Sequence, residues 1–468
     1  MSTLIKNGKI VTASDTVEGD VLIDGNKVVA IGRNLSVGAD TEIHDAGGCF
    51  LVPGGVDVHT HLDSDSGGAH TVDTFATGGK AAAFGGTTTV VDFCNQIKGA
   101  SLAESVDDWH RRAACATVDM GAHIIICDAN EQILAELPSL IEREGITSFK
   151  VFTAYPGSLM VDDGVLMDVM QIAAEHNAQV SVHCENGYVI QNLVGKAVAA
   201  GNLAPKYHAL TRPSLAEGEA TNRVIRIAET VGAPVYIVHV SAQEAVEAVA
   251  AGKDRGLTTV HAETCPHYLF FTADEYDKPG FEGAKAILSP PLREAGHGDV
   301  LWKGLHSGVL DVVGTDHCPF TYEDVYGITM SKQIGREAGF HKVPNGGPGI
   351  EERMVVMFDG MRERGFSLNR FVDVTATAPA KLFGLYPRKG TIAVGSDADI
   401  VVIDPNSDWK ISAKAGHGRM DYSLFEGHDA HCKIAKVFLR GRMIVDGDQW
   451  LSEDGYGEYL RRGPSGIM

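Results

Sequence analysis

Two histidines one residue apart, in the stretch Asp57-Val58-His59-Thr60-His61, close the apolar run 49–58. Side chains alternate between faces along a strand, so Asp57, His59 and His61 project the same way and two imidazoles can grip one metal ion. Alone, His-x-His is a weak motif. Lys150, His183, His239 and Asp316, however, each stand at the end of a later apolar run. Four imidazoles and a carboxylate make a nitrogen and oxygen set suited to Zn, Mn, Co, Ni or Fe, with no thiolate to select among them. Lys150 is the odd member. As an ammonium it would repel cations, so it is either an ion-paired structural lysine or one that burial keeps neutral and reactive. A carbamate on it would supply a negative, bidentate bridge between two metals. Two divalent ions against carbamate, aspartate and hydroxide leave a net charge of about +1, suited to polarising a carbonyl. Asp57 shares the ligand face and is expected to orient a ligand histidine. His123, His176, His261, His267 and His317 fall outside this register and read as core or surface histidines.

The elements that must carry these residues alternate between short buried runs and long helical patterns. Eight strands are predicted, at 50–59, 88–93, 121–127, 148–153, 179–183, 235–240, 259–262 and 310–315. Helices are expected at 74–84, 102–117, 165–176, 216–231, 242–251 and 350–364. Repeated strand-helix units imply a parallel sheet, and eight of them a (β/α)8 TIM-like barrel. In that fold catalytic groups gather at the C-terminal strand ends, where every candidate stands. A doubly wound sheet would want a glycine-rich phosphate turn after its first strand, and Gly67-Gly68, Gly85-Gly86 and Gly346-Gly347 read only as turns. Before residue 50, Asn7-Gly8 and Asp24-Gly25 punctuate short apolar runs, a hairpin signal. The same texture returns at 399–404 and 436–445, so both chain ends are expected to build one smaller β-sandwich domain. The expected division is 1–50 and 386–448 for the β domain, 51–385 for the barrel, and 449–468 for a polar tail outside the core. The segment 321–342 is long and reads as a lid or a subunit contact.

The chain has 468 residues and a formal net charge of -21, which disfavours nucleic acid and anionic membranes as partners. No apolar stretch is long enough to span a bilayer, and the N-terminus lacks a signal design, so a cytoplasmic protein is expected. The 8 cysteines are scattered without a CxxC pair, which implies neither a disulfide framework nor a cysteine zinc cluster.

The motifs His59-Thr60-His61, Ser148-Phe149-Lys150-Val151-Phe152, His183-Cys184-Glu185-Asn186, His239-Val240 and Thr315-Asp316-His317-Cys318 resemble the cyclic amidohydrolases, and most closely their hydantoinase and dihydropyrimidinase branch. The resemblance covers nearly the whole chain, including 390–399. It implies two divalent metal ions per chain, zinc or a relative. His59 and His61 would hold one with Asp316, His183 and His239 the other, and N6-carboxylated Lys150 would bridge them. Asp316 would also be the general base, taking a proton from a metal-bridging hydroxide and passing it to the leaving amide nitrogen. Tyr155 would stabilise the tetrahedral oxyanion, and Ser289 and Asn345 would hold the ring through backbone groups. The implied reaction is metal-dependent hydrolysis of the cyclic amide bond of hydantoins or dihydropyrimidines to N-carbamoyl amino acids.

Alternatives within this resemblance are a dihydropyrimidinase proper acting on dihydrouracil, an allantoinase-like ureide hydrolase, a mononuclear deaminase and a noncatalytic scaffold of the same fold. Filled ligand positions argue against the scaffold, and Lys150 in the fourth-strand register argues against the deaminase. Relatives that bind acidic or ureide rings place an arginine shortly after the second histidine. Here residues 62–70 carry Asp63 and Asp65 and no arginine, which favours a small neutral cyclic diamide. The same loop is less apolar than is usual in the branch. The resemblance also implies a homotetramer.

Overall fold

The computed structural model describes residues 2–66, 68–327 and 330–464. Its larger sheet has eight parallel strands: β1 (Gly55–Thr60), β2 (Thr87–Cys94), β3 (Asp119–Ile125), β4 (Ser148–Phe152), β5 (Gln179–His183), β6 (Val235–Ile237), β7 (Val260–Thr264) and β8 (Val312–Val313). They pair in chain order. The two edges then meet beyond β8, where Thr60 bridges His317 and the His61 N–H donates to His317 O at 2.8 Å. The result is the expected barrel. Arg353 plugs it from beneath, donating to Val56 O, Val313 O and Thr375 O at 3.3, 3.0 and 3.2 Å.

Helices return the chain between strands: α1 (Phe75–Phe84), α2 (Leu102–Ala113), α3 (Glu131–Glu144), α4 (Asp163–Glu175), α5 (Gly187–Ala199), α6 (Ser214–Val231), α7 (Gln243–Asp254), α8 (His297–Ser307) and α9 (Arg353–Glu363). In α2 the reason is local. Ser101 and Glu104 form a capping box, Arg111 and Arg112 face the negative C-terminal end, and Leu102, Val106 and Trp109 form the buried stripe. The sequence reading missed α3, α5 and α8. Pro138 inside α3 reads as a breaker, yet burial of Ile133, Leu137 and Leu140 against the barrel offsets the lost backbone bond.

The expected first strand splits in two. Phe50–Pro53 joins the other sheet, with Pro53 opposite Ile400, and only Gly55–Thr60 enters the barrel. The chain crosses at Gly54, where a Cβ would stand 2.0 Å from Thr88 Oγ1, so a side chain has no room. The second sheet is continuous and nine-stranded, built from both chain ends, with its own core of Ile5, Val21, Ile23, Leu51, Ile400 and Phe438.

The tail, expected outside the core, docks on the barrel over its described residues and buries Leu460 and Arg462. Met120 N donates to Glu458 O at 2.8 Å and Leu460 N to Met120 O at 2.7 Å, Leu460 is buried, and Arg462 reaches Ser148 Oγ at 2.8 Å. Strand β3 begins at the bottom of the barrel with open backbone groups, and the tail satisfies them. Among the described residues no helix is long and apolar enough to cross a membrane.

Candidate active site

At the C-terminal strand ends a cavity of about 590 Å³ is lined by His59, His61, Lys150, His183, His239 and Asp316, together with Tyr155, Ser289 and Asn345. All nine residues singled out from the sequence therefore share one space. Asp316 Oδ1 lies 3.1 Å from His59 Nε2 and 3.2 Å from His61 Nε2. His183 Nδ1 lies 2.9 Å from His239 Nε2. Three of the nine hold left-handed backbone, Tyr155 at φ 66°, His239 at φ 40° and Asp316 at φ 48°. Such conformations cost about 1–3 kcal/mol for a non-glycine residue and cluster at functional sites.

Burial lowers His61 and His183 below the ordinary imidazole value and His239 well below it, so these three are neutral. The neutral ring is the form that binds metal. His59 differs. Burial lowers it, but Glu263 and Asp316 on either side outweigh that and raise it to about 9. The space between those two carboxylates thus favours a positive charge. Asp316 is held well below the carboxylate range, its own burial overcome first by His59. Among the described residues the buried nitrogen His239 Nδ1 has no hydrogen-bond partner. His59, His239 and Asp316 offer ligand atoms all within 4.8 Å of one another. A neutral His239, a depressed Asp316 carboxylate and, at His59, a space whose flanking carboxylates favour positive charge together fit a divalent cation.

Lys150 lies on β4 with its ammonium 4.9 and 5.1 Å from the Phe93 and Phe152 ring centroids. Burial lowers it to about 8, Asp316 and Glu263 opposing. An amine in that range has a substantial neutral fraction near neutral pH. Tyr155 lies tilted against His183, with centroids 5.4 Å apart, and burial raises its phenol, which Arg212, Ser289 and Asn345 counter. A raised phenol keeps its proton and can donate.

Several functional neighbours escaped the sequence reading. Glu263, at the end of β7, bonds His59 Nδ1 and also accepts Tyr236 OH at 2.8 Å and His239 N at 3.1 Å. The predicted strand stopped at 262, one residue short. Glu185 accepts from His183 Nε2 at 2.8 Å and from Arg212 Nη1 at 2.7 Å. It stands two residues after His183, just beyond the strand end, inside the same short motif. Asp57 does not orient a ligand ring as expected. Its carboxylate accepts His59 N at 3.2 Å and Thr315 Oγ1 at 2.6 Å, tying the β1 and β8 ends, because the ring of His59 turns to Glu263 instead. His123 is the expected core histidine, bound to Ser148 Oγ and Val58 O.

The acidic loop 62–70 is less negative than its sequence implies. His70 bonds Asp63 and Asp65, both at 2.9 Å, and these bonds raise its pKa. Arg112 reaches in from α2 to Asp63 O. Ser64 and Asp65 also bond Asn95, at 2.8 and 2.9 Å, so the loop is tied to the end of β2. In the 321–342 segment, Met330, His341 and Lys342 line the cavity, while 328 and 329 lie outside the described residues.

The fold and site define the class as a (β/α)8 barrel whose C-terminal strand ends gather imidazoles, an aspartate and a buried lysine, a donor set that fits a divalent cation. Residues 50–444 match the amidohydrolase family. A D-hydantoinase of Geobacillus stearothermophilus is 47% identical over 470 residues, covering 100% of this chain and 98% of that protein. The crystal structure of a dihydropyrimidinase from Brevibacillus agri is 49% identical, with a TM-score of 0.96 and 99% of each chain covered. An L-hydantoinase (dihydropyrimidinase) from Arthrobacter aurescens is 29% identical with a TM-score of 0.87, covering 98% of this chain and 99% of that one. The chain belongs to the amidohydrolase family, in its hydantoinase and dihydropyrimidinase branch, and is a hydrolase.

Proposed function

We infer that the chain hydrolyses the cyclic amide bond of hydantoins or dihydropyrimidines to N-carbamoyl amino acids, with D-5-substituted hydantoins preferred. The observation that carries this is one cavity lined by the imidazole, lysine and aspartate set and, beside it, by Tyr155, Ser289 and Asn345. The preference for the D series follows the relatives: 47% identity to a D-hydantoinase against 29% to an L-hydantoinase.

His59, His61 and Asp316 would hold one divalent ion, His183 and His239 a second, and Lys150 both. The chemistry such ions, here taken as zinc, supply when bound is Lewis acidity toward the scissile carbonyl and a lowered pKa for the attacking water. Neutral Lys150 adds through Nζ to carbon dioxide and sheds a proton, which converts a repelling ammonium into an anionic ligand. Ser289 and Asn345 hold the ring by its amide edge. Tyr155 O–H donates to the carbonyl oxygen as it gains charge, a contact that counts most in the transition state. Asp316 takes the proton of the attacking water and delivers it to the amide nitrogen as the ring opens.

The test is a set of ring-opening rates on dihydrouracil, unsubstituted hydantoin, D- and L-5-substituted hydantoins, allantoin and dihydroorotate. The expected result is that D-5-substituted hydantoins lead and that a chelator abolishes the activity. Dihydrouracil leading would make the enzyme a dihydropyrimidinase proper. Silence across the whole set with metal bound would overturn the cyclic-amide reading.

A further inference from the structure

Lys332 stands outside every motif singled out in the sequence, within the segment read there as a lid or subunit contact. Its side chain is fully buried. Its ammonium donates to Ile287 O at 2.8 Å and to Pro344 O at 3.1 Å. These carbonyls stand just ahead of Ser289 and Asn345, on two loops far apart in the chain that both line the cavity. Gly346 N adds a bond to Ile287 O at 3.1 Å. On its far side the Ser289 loop is held separately, His208 Nε2 bonding Leu288 O at 2.7 Å and Tyr268 O–H donating to Pro290 O at 2.8 Å. Lys332 itself is anchored by its backbone N–H to Thr321 O at 2.9 Å, in the stretch that follows Asp316.

Stability does not account for this residue. Burial lowers its ammonium to about 7, and among the described residues the Cys318 thiol alone opposes. A buried cation without a counter-charge costs several kcal/mol, and a methionine would fill similar space more cheaply. What a methionine could not do is bond two loops at once.

We propose that Lys332 is a positioning residue for the substrate ring: it fixes the spacing between the Ser289 and Asn345 loops, and so how tightly a ring held by both is bound. This rests on the cyclic-amide reading above. Lys332 touches no reacting atom, and its effect falls on binding.

The experiment compares wild type with Lys332→Met and Lys332→Arg on the hydantoin that wild type opens fastest, alongside metal content and thermal midpoint. In the Met variant KM rises about 30-fold while kcat stays within about three-fold, the pattern of lost uniform binding. Its metal content and midpoint match wild type. The longer arginine keeps a cation and donors but shifts the anchor, so its KM falls between the two. An unchanged KM in the folded Met variant overturns the proposal, as does a joint fall in midpoint, metal content and kcat, which would mark a structural role. Should the Met variant not fold, a folded Arg variant with wild-type KM overturns it equally. If wild type itself opens no ring, the cyclic-amide reading falls. If wild type is active and the variants are indistinguishable from it, only the Lys332 proposal falls.

Discussion

Glu263 and Glu185 grip opposite nitrogens of their histidines, Nδ1 of His59 and Nε2 of His183, and in each case leave the other nitrogen facing the cavity. A carboxylate that accepts the N–H fixes the tautomer and raises the basicity of the free lone pair. Arg212 extends one arm of this arrangement. Its guanidinium bonds Glu185 and lies 5.4 Å from the Tyr155 ring centroid, so a single buried cation orders both His183 and the Tyr155 phenol. At this scale the proposed roles separate cleanly under substitution. Tyr155→Phe keeps the ring packing and removes only the donor. We expect kcat to fall about 100–1,000-fold with metal content unchanged, read by steady-state kinetics and metal analysis. An unchanged kcat would assign Tyr155 to packing. Lys150→Ala should instead lose metal and activity together, and added short-chain carboxylic acids, which can enter the vacated space and bridge as the carbamate would, should restore part of both. Full activity without added acid would exclude a carbamate at this position.

Loops at the strand ends carry the site, and α6 braces one of them. Glu217, in the first turn of α6, accepts Ser241 N at 2.8 Å and Ala242 N at 3.2 Å, and Arg293 donates to it at 2.6 Å. The loop so held follows His239 directly. Glu217→Gln leaves buried Arg293 without its counter-charge, a loss of about 3 kcal/mol or more. We expect a lower denaturant midpoint and, because His239 loosens, less than full metal occupancy after dialysis; full occupancy at wild-type stability would show that the brace is dispensable.

The same elements explain what could be read beforehand. Strand ends were legible because apolar runs and two-residue alternation are local signals, and they led to His59, His61, Lys150, His183, His239 and Asp316. Glu263 was lost because its partner His59 lies 204 residues away and its expected strand ended one residue before it. Arg212 sits between helices, where no periodicity points to it. Lys332 reads as one more charge in a polar segment until the two loops it joins are seen together. The tail was misjudged because it docks through its own backbone and through Arg462, which is buried against barrel backbone, a use that composition does not reveal.

Across the whole molecule, the catalytic end of the barrel is separated from the end where the two sheets are joined, and a buried ion cluster holds that junction. Lys389 Nζ reaches Asp119 at 2.6 Å, Asp399 at 2.7 Å and Asp397 at 3.0 Å, with Asp119 opening β3 at the N-terminal strand ends. Asp397 also takes Lys27 at 2.7 Å and Arg388 at 2.8 Å, and Arg388 continues to Glu458 of the tail at 3.3 Å. One carboxylate therefore ties the N-terminal strands to the barrel floor and, through Arg388, to the tail. Burial raises Asp397, but Lys389 first, with Lys27 and Arg388, lowers it from 3.8 to about 2. A carboxyl whose pKa is lower folded than unfolded stabilises the fold above its unfolded value, and that stabilisation is lost as pH falls through the folded value. The window here runs from about pH 4 down to about pH 2, and the contribution above it is roughly 2 kcal/mol. Asp397→Asn removes this term at every pH. Denaturant midpoints should therefore separate the variant from wild type at pH 7 and converge as the pH drops below 4. A constant gap would mean that packing at Asp397, rather than its charge, joins the two sheets. Because the cluster lies at the opposite strand ends from Asp316, kcat of the folded variant at pH 7 should stay at the wild-type value.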